Sequence, residues 1–207
     1  MIMKRILSLL LFSLLCLGPL SAQEQVRHPL AYNGFSGGMM LHAGWVARGD
    51  VQVGLSSPQT IAGVPLGIGG ALRVRFGDHL RVGTEGYTSS LGYGDYGSSL
   101  SIGWGGLLVD YCFRFGDFMP YAGLTIGGGV VENMTLSSEP EVDWLPEANI
   151  SFRSYGVGVI VPFVGVEYGL TERMSLTVKA DWMMAMGRSY SDFPSGPRCY
   201  IGFMFNH

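Results

Sequence analysis

The residues with the most chemical potential are four histidines, three cysteines and a set of charges whose spacing is regular. His28, His79 and His207 share no i, i+2 or i+4 spacing, so no metal centre is expected from them. His42 is a candidate base, and lipid-modifying chemistry would need a nucleophile within hydrogen-bond reach of it. No serine stands two residues from a histidine on any extended run, so His42 reads as a packed or hydrogen-bonded interior residue. Gly92 to Gly97 fits G-x-G-x-x-G, but that motif binds a dinucleotide only between a strand and a helix, and here extended runs flank it on both sides. The segment Glu132 to Ile150 carries Glu132, Glu139, Glu141, Asp143 and Glu147 with no basic residue, around Trp144 and Leu145. It suits a solvated acidic loop, or a recognition epitope or divalent-cation site. No catalytic residue, cofactor or metal is assigned.

The remaining charges recur at every second position. Leu66, Ile68, Leu72, Val74 and Phe76 alternate with Gly67, Gly69, Ala71, Arg73 and Arg75. Leu80 and Val82 alternate with Arg81 and Glu85, and Leu176, Val178 and Trp182 alternate with Lys179 and Asp181. Such period-two patterning is the mark of strands with two unlike faces. Asp110, Arg114 and Glu167 fall on further runs of the same kind. The runs near Phe35–Trp45 and Ile201–Phe205 bring the count to eight. Arg75–Leu80 (Arg-Phe-Gly-Asp-His-Leu) matches Arg114–Met119 (Arg-Phe-Gly-Asp-Phe-Met), so two hairpins read as copies. Connections are short at 77–79, 116–119 and 170–173, and long at about 48–65, 90–99, 131–150 and 187–197. Short and long alternate strictly, as required by an even-stranded barrel with both termini at the short-turn end.

Composition says what surrounds the barrel. Glycine supplies 32 of 207 residues and charged residues only 14%, with a net charge of −3. That balance gives no basic footprint for nucleic acid, and too little charge for a wet surface. Residues 1–22 have the three parts of a secretory signal: Lys4 and Arg5, the apolar run Ile6–Leu17, and Leu20-Ser21-Ala22 before Gln23. Cys16 also raises a lipoprotein reading, disfavoured by the bulky Leu15 before it. No later segment is long and apolar enough for a spanning helix, which leaves the closed β-barrel as the spanning option. The expected organisation is a signal peptide at 1–22, a short periplasmic segment at 23–33 and a barrel at 34–207.

A soluble lipocalin-like barrel would alternate too. Against it, the polar phase is mostly Gly, Ser and Thr, and its charges are of both signs. Arg73, Arg75, Arg81, Arg114 and Lys179 stand against Glu85, Asp110, Glu167 and Asp181, a set suited to an interior ion-pair network. Aromatics gather at strand ends (Trp45, Phe76, Tyr111, Phe113, Phe115, Tyr168, Phe203, Phe205), as in membrane girdles. Glycines at 67, 69, 83, 165 and 202 would make room for the inward charges in a narrow barrel. Gly105-Gly106 and Gly127-Gly128-Gly129 are expected to mark bulges. Cys112 and Cys199 fall near opposite ends of their strands, so no disulfide is expected.

The segments Gly34-Phe-Ser-Gly-Gly-Met-Met-Leu-His-Ala-Gly, Leu66-Gly-Ile-Gly-Gly-Ala-Leu-Arg-Val, Tyr121-Ala-Gly-Leu-Thr-Ile-Gly-Gly-Gly and Gly196-Pro-Arg-Cys-Tyr-Ile-Gly-Phe-Met-Phe resemble the small eight-stranded outer-membrane barrels of Gram-negative bacteria, the OmpA-barrel and OmpX type. The resemblance implies an all-β, antiparallel, up-and-down transmembrane barrel in the outer membrane, with both termini periplasmic. It implies no activity. One departure is that Asn206 and His207 follow Phe205 where such barrels usually end on an aromatic, although His207 keeps the phase of Phe203 and Phe205. The expected function is a non-enzymatic, structural or surface-interaction role through the loops. A transport or secretion-accessory barrel is the alternative, and a lipid-modifying enzyme comes after it. Expected partners are outer-membrane lipid and lipopolysaccharide, with protein partners at the loops, for a monomeric barrel.

Overall fold

A computed structural model describes residues 31–51, 59–94, 96–136, 150–187 and 192–207. The segment 1–22 expected as a secretory signal, Cys16 and His28 lie outside these residues, as do Glu139, Glu141, Asp143, Trp144, Leu145 and Glu147 of the acidic segment. Ten strands are formed: β1 (Tyr32–Gly44), β2 (Val46–Val51), β3 (Gln59–Gly63), β4 (Leu66–Phe76), β5 (Leu80–Tyr93), β6 (Ser98–Cys112), β7 (Phe118–Leu136), β8 (Ile150–Thr171), β9 (Met174–Met186) and β10 (Gly196–Asn206). Eight of them close a barrel in the order β1-β10-β9-β8-β7-β6-β5-β4, and β2 and β3 form a separate hairpin. All neighbours are antiparallel. Closure leaves the ring without an edge, the condition for spanning lipid with strands.

The alternation sorts the side chains radially. Arg73, Arg81, Glu85, Asp110, Glu167, Lys179 and Asp181 are buried inside. Met39, Leu41, Leu66, Ile68, Leu72, Leu107, Val164 and Ile201 are exposed on the outer wall. A continuous apolar exterior of this extent is foreign to soluble monomers and suits a lipid-facing wall. Exposed aromatics crowd the short-turn end: Tyr32, Phe35, Tyr111, Phe113, Phe115, Phe118, Tyr168, Phe203 and Phe205. Trp45 and Trp182 stand toward the other end. The two copied turns share one device, since Gly77 and Gly116 take φ of 60° and 62°, where a side chain is disfavoured.

Several expectations change. The 48–65 connection contains the β2–β3 hairpin, and β7 and β8 run on into the 131–150 segment until Leu136 pairs with Ile150. Glu132 is therefore an outward-facing strand residue, not a loop residue. The strand β6 has no bulge at Gly105-Gly106, because pairing with β5 and β7 is unbroken. The apolar phase does switch there, since Leu100, Ile102 and Trp104 fill the interior while Leu107 and Val109 face out. Likewise Gly127–Gly129 pair continuously on both sides. Instead of bulges, Gly70, Gly86, Gly105, Gly128 and Gly158 lie side by side in register across five strands.

Candidate functional site

The barrel interior holds the charges in two neutral groups. Nearer the short-turn end, Arg73 of β4 and Arg81 of β5 share two carboxylates, Asp110 of β6 and Glu167 of β8. Arg73 lies 2.7 Å from Glu167 and 3.4 Å from Asp110, and Arg81 lies 2.8 Å and 2.6 Å from the same two. The Tyr121 ring is clasped by both guanidinium groups, each 4.7 Å from its centroid. Toward the middle, Lys179 of β9 bridges Glu85 at 2.7 Å and Asp181 at 3.6 Å, and Asp181 accepts from Arg198 of β10 at 2.8 Å. Thr125 donates to Glu85 at 2.6 Å. Aromatic faces of Tyr87, Phe163 and Tyr200 surround the Lys179 ammonium, and Trp104 lies under Arg198. Cations so placed gain from the ring quadrupoles.

Seven of the nine residues expected in the network meet there. Two do not. Arg114 is exposed in the β6–β7 turn, and Arg75 is half-buried at the mouth of the barrel, where its Nη2 reaches only the Met119 sulfur at 3.4 Å. Arg114 sits past the end of β6, where alternation no longer dictates direction. Arg198 is the member that sequence reasoning missed. It lies two residues before Tyr200 on the same face, so carrying the β10 alternation back one step from Tyr200 finds it. With this exchange the interior set becomes four cations against four carboxylates.

His42 is not isolated. Its Nε2 lies 2.6 Å from the Ser89 hydroxyl, although the two residues sit on β1 and β5 with β4 between them. Register explains the contact: His42 pairs with Gly67, and Gly67 pairs with Ser89. A Cβ at Gly67 would collide with His42 Cε1 and Nε2. His42 is thus the hydrogen-bonded interior residue expected, and its partner is a serine two strands away that spacing along one strand does not reveal, because a missing side chain in the middle strand lets two strands touch. Among the described residues His42 Nδ1 has no hydrogen-bond partner to orient the ring as a hydrolytic triad requires, and both side chains are buried.

The long-connection end is capped. Val46, Ile61, Leu91, Leu100, Ile102, Val131, Val157 and Val159 are buried. Above them Asp192 accepts from Tyr155 at 3.0 Å and Asn133 at 3.4 Å, and lies 3.6 Å from Arg153. The cap and the ion pairs together obstruct the lumen. His79 and His207 sit at the short-turn end, His79 stacked on Tyr111 and His207 on Phe35. Cys112 and Cys199 are both free, one buried and one exposed.

Neither a protein-family profile nor a curated protein sequence matches the chain. Solved structures do. OprG, an outer membrane protein of Pseudomonas aeruginosa, is 13% identical over 86% of this chain and 98% of its own, with a TM-score of 0.58. Neisserial surface protein A is 14% identical over 85% of this chain and 97% of its own, with a TM-score of 0.56. Ail, the attachment invasion locus protein of Yersinia pestis, in complex with the heparin analogue sucrose octasulfate, is 10% identical over 84% of this chain and all of its own, with a TM-score of 0.51. At these identities the likeness is one of fold: the chain has the eight-stranded antiparallel transmembrane barrel of the small outer-membrane proteins.

Proposed function

We propose that the protein is a non-enzymatic outer-membrane barrel, both termini periplasmic, that works through the surface of its long-connection end. The observation that carries this reading is the unequal height of the wall. The β7–β8 pair continues to Leu136–Ile150, past the point where β9 stops opposite Gly158. The projecting blade carries Phe152, 65% exposed, with Ser151, Arg153, Ser154 and the outward Glu132. A mixed aromatic and charged face is the composition of recognition surfaces rather than of a lipid belt. Ail and Neisserial surface protein A are named as an attachment protein and a surface protein, which supports the same direction. The surrounding ligand is outer-membrane lipid, lipopolysaccharide included, around a monomeric barrel. The acidic residues Glu139, Glu141, Asp143 and Glu147 fall in the sequence between β7 and β8 and belong to the same proposed epitope.

The test is labelling of intact cells with a membrane-impermeant maleimide in a Cys199→Ser background. Ser151→Cys should react and Asp78→Cys should not. Reaction of Asp78→Cys alone would overturn the orientation and the surface role. Heat-modifiable migration of the membrane fraction should accompany it. The transport reading requires an open lumen, whereas the interior is filled by eight paired charges and an apolar cap. Planar bilayers should therefore show no steady conductance, and a reproducible one would shift the assignment to transport.

A further inference from the structure

One group of charges belongs to neither interior cluster. A cavity of about 580 Å³ opens at the short-turn end beside Asn33 and His207, and Arg75, Arg114 and Arg173 all line it. They come from three separate places: the end of β4, the β6–β7 turn and the β8–β9 turn. Glu172 shares the rim. Among the described residues no carboxylate comes within 4 Å of any of the three guanidinium groups, while Arg73, one layer deeper, is held by two. Arg75 Nε is buried without a hydrogen-bond partner, and its Nη2 has only the Met119 sulfur, a weak acceptor. Arg75 is half-buried, and its Nε, withdrawn from water without a partner, carries a desolvation cost. Asp110 and Glu167, the carboxylates of the ion-paired layer below, are already shared between Arg73 and Arg81. Among the described residues no side chain supplies the missing anion, and one from outside the chain would complete the site.

We infer that this mouth is a binding site for a phosphate group. Guanidinium forks pair with phosphate oxygens through parallel N–H donors. Donors arriving from three segments match a tetrahedral group with several free oxygens better than a planar carboxylate, which offers two. The cavity is also larger than a bare phosphate, so it admits part of an attached group. Two sources share this chemistry: the phosphodiester headgroup of a phospholipid and a soluble phosphate. Only the lipid source rests on the membrane orientation proposed above.

The experiment uses the folded full-length barrel in a non-ionic, phosphate-free detergent. Titration calorimetry follows inorganic phosphate, glycerol 3-phosphate, a short-chain phosphatidylglycerol and, as control, acetate. Saturable phosphate binding is expected, weakened at least tenfold by Arg75→Gln. The double variant Arg114→Gln/Arg173→Gln changes two exposed turn residues, so it carries the test even if Arg75→Gln fails to fold. It should weaken binding by a similar factor while keeping heat-modifiable migration. Tighter binding of phosphatidylglycerol than of glycerol 3-phosphate supports the site with a lipid source, and equal binding supports it with a soluble one. Absence of saturable binding, equal affinity in wild type and double variant, or acetate binding as tight as phosphate would each overturn it. Because orientation does not enter these measurements, their failure is separate from failure of the surface role.

Discussion

The two halves of the barrel interior are built by opposite means. Toward the short turns the lumen is filled by Arg73, Arg81, Asp110 and Glu167 around Tyr121, with side-chain exposures of 0 to 1% for the four charges. Toward the long connections it is filled by Leu100, Ile102, Val131 and Val159 under a lid centred on Asp192, hydrogen-bonded to Tyr155 and Asn133 and paired with Arg153. The contrast teaches that one narrow lumen accepts either filling, provided each is internally complete. Buried ion pairs add little net stability, yet losing one partner strands the other. Apolar filling fails by losing the transfer free energy of the removed atoms and leaving a cavity, but it strands no charge.

Breaking the charged half should therefore produce the largest effect. Glu167→Ala removes a carboxylate from both Arg73 and Arg81 and should cost about 3–5 kcal/mol, read as a lower urea midpoint for loss of the heat-modifiable band. Replacing all four charges by apolar residues of similar volume should cost far less than that single change. Leu100→Ala in the apolar half should cost about 2–4 kcal/mol in the same assay. A loss matching that of Glu167→Ala would remove the distinction between the halves. Asn133→Ala, which frees one acceptor of the buried Asp192, should cost about 1–2 kcal/mol and raise protease cleavage at the capped end. Ser89→Ala should cost about 1 kcal/mol, and His42→Ala should leave every membrane-lipid species unchanged in a lipid extract. A lipid product lost with His42 would make the pair catalytic. Smallest of all, Arg114→Gln should move stability by less than about 0.5 kcal/mol, which sets the mouth apart from the interior it resembles in charge.

Legibility in the sequence follows the same division. The ion-paired half could be read because alternation fixes direction: Arg73, Arg81, Lys179 and Asp181 each stand among residues of known phase. Alternation does not mark where a strand begins or ends. Begun at Tyr200, it leaves Arg198 of β10 out of the network, and carried past Cys112, the end of β6, it places Arg114 inside. The apolar half was misread for another reason. Leu100, Ile102 and Trp104 face a lumen lined largely by apolar side chains at that level, so hydrophobicity there no longer marks the outer wall and mimics a bulge. The contact of His42 with Ser89 depends on what Gly67 lacks, and only the register of three strands displays that.

Lys179 has a further consequence. The sequence contains two lysines, Lys4 and Lys179. Lys179 is 0% exposed with its Nζ 2.7 Å from Glu85. The folded wall thus offers amine-reactive reagents no target among the described side chains, and trypsin no lysine to cut. A reagent that modifies Lys179 can do so only after the ring has opened. The barrel carries its own chemical reporter of integrity, and the rate of acylation at that one nitrogen would time the breathing of the whole wall.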